Sequence, residues 1–260
     1  MAAESGKIDP MHQFQVEALV PFNFGGYDLS FTNSALWMVL TLLVIWAFML
    51  GGMKRELVPG RWQAAVEGLS GFINSMMSTN IGPEGKKYVP LVFSLFMFVL
   101  VANLMGMLPV GIIPGVHGFT STSHFTVTGI LAILSFGTVL IVGFWKHGFH
   151  FFSLFVPHGT PIWLMWLIPV IELFSFLVRP FSLALRLFVA MTAGHILLKV
   201  LAGFVINGLN AGVGVAAIVS LPSFILMIGI TLLELLVCAI QAYVFALLTS
   251  LYLNDAVNLH

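Results

Sequence analysis

Long apolar runs broken by short polar segments divide the chain into five stretches, residues 35–52, 88–108, 125–145, 162–204 and 214–254. The first three approach the roughly 20 residues that a helix needs to cross an apolar layer about 30 Å thick. The last two, about 40 residues each, would be roughly 60 Å long as helices, which exceeds what ordinary tilts of up to about 40° absorb. Either each lies far over in the membrane, or Pro180 and Pro222 break each into two spans. No Gly, Asn or Asp cluster marks a hairpin at either proline, whereas residues 207–214 (NGLNAGVG) form an evident turn between the two runs. The reading is two long, strongly tilted helices. Before the second stretch, residues 61–78 place Trp62, Ala65, Val66, Leu69, Phe72, Ile73 and Met76 at helical spacing, with Arg61, Gln63, Glu67 and Asn74 between them. That pattern predicts an amphipathic helix on the membrane surface.

Composition fixes the class. A chain of 260 residues that is 59% hydrophobic and 8% charged, against about 25% charged in soluble domains, is an all-α polytopic membrane protein, a single membrane domain over residues 1–260. Its ten Lys and Arg are scattered and form no basic patch, which argues against nucleic acid as a partner. Half of them, Lys54, Arg55, Arg61, Lys86 and Lys87, fall in residues 53–87, which the positive-inside rule places on the cytoplasmic or matrix side. Residues 109–124 carry no Lys or Arg and belong outside. The N-terminal segment 1–34, which has no basic stretch followed by an apolar core and a small-residue cleavage site, is then outside and the C-terminus inside. Cys238, the single cysteine, sits in an apolar run and reads as a small packing residue.

Residues 172–199 set five ionisable groups, Glu172, Arg179, Arg186, His195 and Lys199, inside the first long apolar run. One Arg at a helix centre costs about 2.5 to 3.5 kcal/mol on insertion scales, so these groups must face protein or water. At 100° per residue Glu172, Arg179 and Arg186 form one stripe, and His195 and Lys199 lie on roughly the opposite side. The chain direction puts Glu172 near the inner face, Arg186 near the middle and His195 toward the outside. The returning helix, over residues 214–254, has Glu234 as its only acid, on the outer half, with Gln241 seven residues on and nearer the middle. His195 can thus meet Glu234, and Arg186 can meet Gln241. Bland readings exist for most of the set: Glu172 and Arg179 pairing along one helix, Arg179 and Lys199 reaching to the interfaces, and Gln241 as plain glue between helices. Arg186 resists one, because its guanidinium stays charged and no acid lies within a turn of it; its partner is expected on another chain. His147, His150 and His158 invite a metal reading, but Gly148 and the loop composition argue against a rigid site.

The runs SLALRLFVAMTAGHILL and LELLVCAIQAYVFALLTSLYLNDAVNLH, with WKHGFHFFSLFVPHGTP before them, resemble subunit a of the F-type ATP synthase, of the alphaproteobacterial or mitochondrial kind. The resemblance implies five membrane-crossing helices and a surface helix, the last two lying steeply tilted along a rotating ring of c subunits. It implies that Arg186 matches the family's essential arginine and Gln241 the glutamine opposite it. His195 and Glu234 match the paired polar site of an outer half-channel, and Glu172 the acid of an inner one. Asn103, His124 and Lys199 are further candidates for lining the path. The family's usual Asn four residues after the arginine is Ala190 here. The implied partners are the c-ring, the peripheral-stalk b subunits, the rest of the complex and the lipid bilayer. No cofactor, metal or catalytic site of its own is implied. The implied location is the bacterial inner membrane, with the mitochondrial inner membrane as the alternative. An independent secondary transporter with a midplane charge is the chief reading from another class, and an inverted repeat would support it. An intramembrane hydrolase is a third, for which HExxH is missing from the sequence.

Orientation is open to direct labelling. A thiol introduced as Lys54→Cys is expected to react with an impermeant maleimide only from the inside, and one introduced as Gly118→Cys only from the outside. The reverse pattern would invert every depth assigned above.

Overall fold

All five apolar runs fold as helix in the computed structural model, which describes residues 15–21, 23–24, 27–28, 30–53, 56, 58–108, 120–155 and 166–258. Helix α1 (Asn33–Gly52) starts where Thr32, in extended backbone, accepts a hydrogen bond from the Ala35 amide at 3.4 Å, a side-chain cap for an otherwise orphaned donor. Asn33 ties that start to the N-terminal segment by donating from Nδ2 to the Gln15 carbonyl at 3.0 Å. The segment carries four short strands, β1 (Ala18–Val20) paired antiparallel with β4 (Phe31–Thr32), and β2 (Asn23–Phe24) with β3 (Tyr27–Asp28).

Helix α2 (Arg61–Asn80) leans on α1, α3 and α7. Gly52 makes the first of these contacts close, since a Cβ there would stand 2.3 Å from Val66 Cγ2. Trp62 Nε1 donates to the Phe48 carbonyl at 2.8 Å. The face turned inward holds Val66, Ile73 and Met77, and also Gln63, whose Nε2 donates to Glu67 Oε1 at 2.8 Å. Further along, the Phe72 ring meets Phe96 and Tyr243, and Asn80 Nδ2 donates to Ser250 Oγ at 2.6 Å. The helix therefore rides on the C-terminal half of α7.

Helices α3 (Val89–Gly106) and α4 (Phe125–His147) cross beside the two long helices, and the core lies among all four, with Val92, Val99, Val139, Leu187, Met191 and Phe245 fully enclosed. Polar contacts close its inner end. Ser135 and Thr249 share a hydrogen bond of 2.8 Å between α4 and α7, and His147 Nε2 lies 3.1 Å from the Val257 carbonyl. Lys146 donates to Glu84 in the 3-10 turn Pro83–Lys87, and this bond with the lysine charge holds the Glu84 carboxyl below the usual range.

Helix α5 (Ile168–Asn210) has 43 residues, about 65 Å at 1.5 Å per residue, and continues through Pro180. After it come α6 (Val213–Val215), a π turn (Ala216–Ser220) and α7 (Leu221–Val257), which together form a second rod of 45 residues. Pro222 gives the π turn its reason: it has no amide hydrogen for the carbonyl four residues back, and its ring crowds that carbonyl. Neither proline makes a hairpin.

Three boundaries differ from expectation. Residues 207–210 belong to α5 and not to the connecting turn, because Gly208 is needed for contact: Ser220 Oγ sits where its Cβ would be, 2.2 Å away, and donates to the Val205 carbonyl at 2.9 Å. The reversal falls on Ala211 and Gly212, whose φ of 109° suits glycine. At the other end α7 runs on to Val257. The first long helix, expected over 162–204, begins at Ile168, with 166 and 167 in a turn; residues 1–14, Lys54, Arg55, His158, the expected outer loop 109–119 and residues 162–165 lie outside the described residues.

Gly143 of α4 lies under the buried Phe151 ring, where a Cβ would meet Cε2 at 2.3 Å. Gly143→Val is expected to destabilise the fold by about 1–3 kcal/mol, seen as a lower midpoint of heat-induced unfolding in detergent. Adding Phe151→Leu should restore part of the loss.

Candidate functional site

The antiparallel packing of α5 on α7 brings two groups of polar side chains together, one at each end of the interface. In the group expected on the outer side, His195 of α5 stands with Nδ1 3.1 Å from Glu234 Oε1 of α7 and Nε2 2.6 Å from Thr120 Oγ1. The nitrogen and the carboxylate oxygen touch without the alignment of a hydrogen bond, and Glu234 Oε2 has no hydrogen-bond partner among the described residues. Glu234 is only 2% exposed. Each neighbour of the imidazole rests on a glycine of a facing helix: a Cβ on Gly194 would lie 2.6 Å from Glu234 Oε1, and one on Gly106 would lie 2.1 Å from Thr120 Oγ1.

The segment around Thr120 is buried from there through Ser123 and is held by α3 and α5. Thr122 donates to Asn103 Oδ1 at 2.7 Å, Asn103 Nδ2 reaches the Cys238 carbonyl at 3.5 Å, and Thr192 Oγ1 donates to the Ser123 carbonyl at 3.3 Å. Asn103 is fully buried in this network. Cys238, one turn below Glu234, packs its thiol against the Met107 and Met191 sulfurs at 3.3 and 3.9 Å. His124 begins α4, its carbonyl accepting from Val127, and its side chain lines a cavity of about 360 Å³ with Ser34, Met38 and Phe98. Lys199 is half-buried one turn beyond His195.

The inner group forms around Arg179 of α5. Its Nη1 donates to Asp255 Oδ2 of α7 at 2.7 Å, its Nη2 lies 3.9 Å from Glu172 Oε1, and its guanidinium stacks over the Phe176 and Tyr252 rings. Glu172 and Arg179 do sit together, but the tighter partner is Asp255, which the sequence reading placed beyond the helix end. Asp255 is an acid of α7 beside Glu234 because the helix continues to Val257.

Sixteen residues of α5, about 24 Å of helix, separate His195 from Arg179. Between them the buried residues include Leu183, Ala184, Leu187 and Met191 on α5 and Cys238, Ala242, Phe245 and Ala246 on α7, while the buried hydroxyls of Thr249 and Ser250 on α7 pair with Ser135 of α4 and Asn80 of α2. Arg186 lies at this level but on the outer side of α5, exposed, with no ion pair or hydrogen bond to another described residue. Tyr252 is within electrostatic reach of both Arg179 and Arg186. Gln241 is half-buried, and no hydrogen bond joins it to Arg186. Ala190, one turn from Arg186, packs at the edge of the core.

The profile of the family described as ATP synthase A chain matches residues 35–254. The chain belongs to the ATP synthase A chain family. It is 74% identical to a protein named ATP synthase subunit a from Rhizorhabdus wittichii over the whole length of both chains, and 68% identical to one from Sphingopyxis alaskensis, again over both whole lengths. A protein of the same name from Rhodospirillum rubrum is 47% identical over 96% of this chain and 99% of its own. The ATP synthase A chain match takes in both members of the His195–Glu234 contact, Arg186 and Arg179, and stops one residue before Asp255.

The inner group makes a quantitative expectation possible. In a double-mutant cycle with Arg179→Gln and Asp255→Asn, thermal unfolding of the purified complex should show a coupling of about 0.5–1.5 kcal/mol. A coupling near zero would mean that the contact is incidental.

Proposed function

We propose that the chain is the proton-translocating stator subunit of a rotary ATP synthase, with two half-channels separated by Arg186. The observation that carries this reading is the placement of Arg186, exposed on an apolar helix surface at a level between the two polar groups. Among the described residues, a proton that reaches the outer group finds no hydrogen-bonded chain of side chains inward through the α5–α7 interface. It can proceed only by leaving sideways, on the face that bears the arginine.

That face needs a cover. Only 17% of the most apolar window of α5 and 11% of that of the second rod are buried within the chain, and a guanidinium facing lipid costs about 2.5 to 3.5 kcal/mol. A ring of c subunits, each with a carboxyl group at mid-membrane, satisfies both needs. In the proposed cycle a proton passes from the outside to His195 and Glu234 and is handed to a ring carboxylate, which becomes neutral and can rotate through lipid. On the inner side the ring acid releases its proton toward Glu172 and Asp255. The ionised carboxylate then passes Arg186, whose fixed charge favours that form and opposes direct proton leakage. A potential of 100 mV supplies about 2.3 kcal/mol per charge, so a gate of a few kcal/mol suffices. Gln241 lines the passage near Arg186, and Asn103 and His124 line the approach from outside, with Lys199 at its edge.

The b subunits of the peripheral stalk would hold the chain against the torque of the ring. Five helices long and apolar enough to cross a membrane, together with relatives from bacteria, favour the bacterial inner membrane over the mitochondrial one. The family match favours this reading over an independent secondary transporter.

Arg186→Ala is expected to abolish proton-driven ATP synthesis in inverted vesicles while subunit assembly stays largely intact; synthesis near the normal rate would overturn the assignment. For the outer pair, His195→Glu combined with Glu234→His should recover more proton flux than either alanine variant, because one acid and one imidazole return to the same depth. If the exchange is as damaging as both alanine changes together, the two residues are not a local pair.

A further inference from the structure

We propose that Thr120 is a positioning residue for His195, holding the imidazole beside Glu234 by a hydroxyl that partners its Nε2 in each protonation state. The inference rests on the reading of His195 and Glu234 as the outer proton path. Thr120 Oγ1 stands 2.6 Å from Nε2, and the threonine is 5% exposed. When Glu234 is ionised it offers only acceptors, which favours a neutral ring with its hydrogen on Nδ1 and its lone pair on Nε2. Nε2 is then an acceptor buried away from water, and the Thr120 hydroxyl is the donor placed to meet it. When the ring takes a second proton, Nε2–H becomes a donor and the same hydroxyl accepts by rotating about its C–O bond. A hydroxyl partners both states, whereas an amide nitrogen or a carboxylate would favour one.

The surroundings are shaped for this contact. Gly106 leaves the space that Thr120 Oγ1 fills, and the Ser123 hydroxyl donates to the Thr120 carbonyl at 2.6 Å, which holds the backbone of the segment. The titratable groups facing the ring are Glu234 across the interface and Lys199 one turn along α5. The loop side presents hydroxyls and the Asn103 amide, with His124 at the end of the segment.

The test uses inverted membrane vesicles that contain the whole ATP synthase, with passive proton flux through the membrane sector measured across a range of pH. Thr120→Val keeps the shape and removes the hydroxyl; it is expected to lower flux roughly fivefold, the factor equivalent to one hydrogen bond, and to move the pH of half-maximal flux by at least about half a unit. Thr120→Ser, which keeps the hydroxyl, should recover most of the flux and the original profile. Thr120→Ala puts the same question with a smaller side chain if the valine variant does not assemble. Flux and profile unchanged in the variants without a hydroxyl, or Thr120→Ser as impaired as they are, would overturn the proposal. His195→Ala separates the two levels. If it silences flux while Thr120→Val does not, only the role of Thr120 fails; if it too leaves flux unchanged, the outer path itself is misassigned.

Discussion

A permanent positive charge on an apolar surface is the constraint on which the rest of this chain depends. A guanidinium cannot shed its proton to escape low-dielectric surroundings, as a carboxyl or an imidazole can. Arg186 therefore requires a compensating group or water opposite it, and on the proposed function that group changes as protons pass. Other features follow from meeting this need without a leak. The long helices lie over so that an extended face is presented, the polar groups are confined to the two ends of their interface, and the stretch between is packed with Leu, Met, Ala and Phe.

The polar groups are held by close approach and not by flexible reach. Gly106, Gly194 and Gly208 each remove a Cβ at a point where a hydroxyl or carboxylate of a neighbouring segment comes in. A buried polar group held at one distance loses less when its partner changes protonation than one that must reorganise, because its surroundings are already set. Small residues in the two long helices thus serve the electrostatics as much as the packing.

The apolar helices and the amphipathic helix were legible because each depends on run length or on period, which survive in a single sequence. The motif around Arg186 carried the resemblance to the family. What escaped did so for local reasons. Asp255 fell one residue past the expected end of α7, and helix ends depend on caps and neighbours that apolar run length does not register. The TSTS run at residues 120–123 looked like a solvated loop, since four small polar residues read the same whether water or an Asn103 amide satisfies them. The turn at residues 207–214 was drawn too long because Gly208 was read as a breaker when it is a contact surface.

The π turn before Pro222 has a reach well beyond its five residues. Each residue added to or removed from a helix rotates everything downstream by about 100°, and a π turn holds one residue more than the α turn it replaces. The angular phase of α7 is therefore set at its outer tip, before any chemically active side chain is reached. Glu234 points to His195, and Asp255 to Arg179, partly because a proline some distance away took up one extra residue. In this sense Pro222 acts as a clocking mark for the whole rod, and the alignment of two polar groups more than 30 Å apart along α7 is inherited from it.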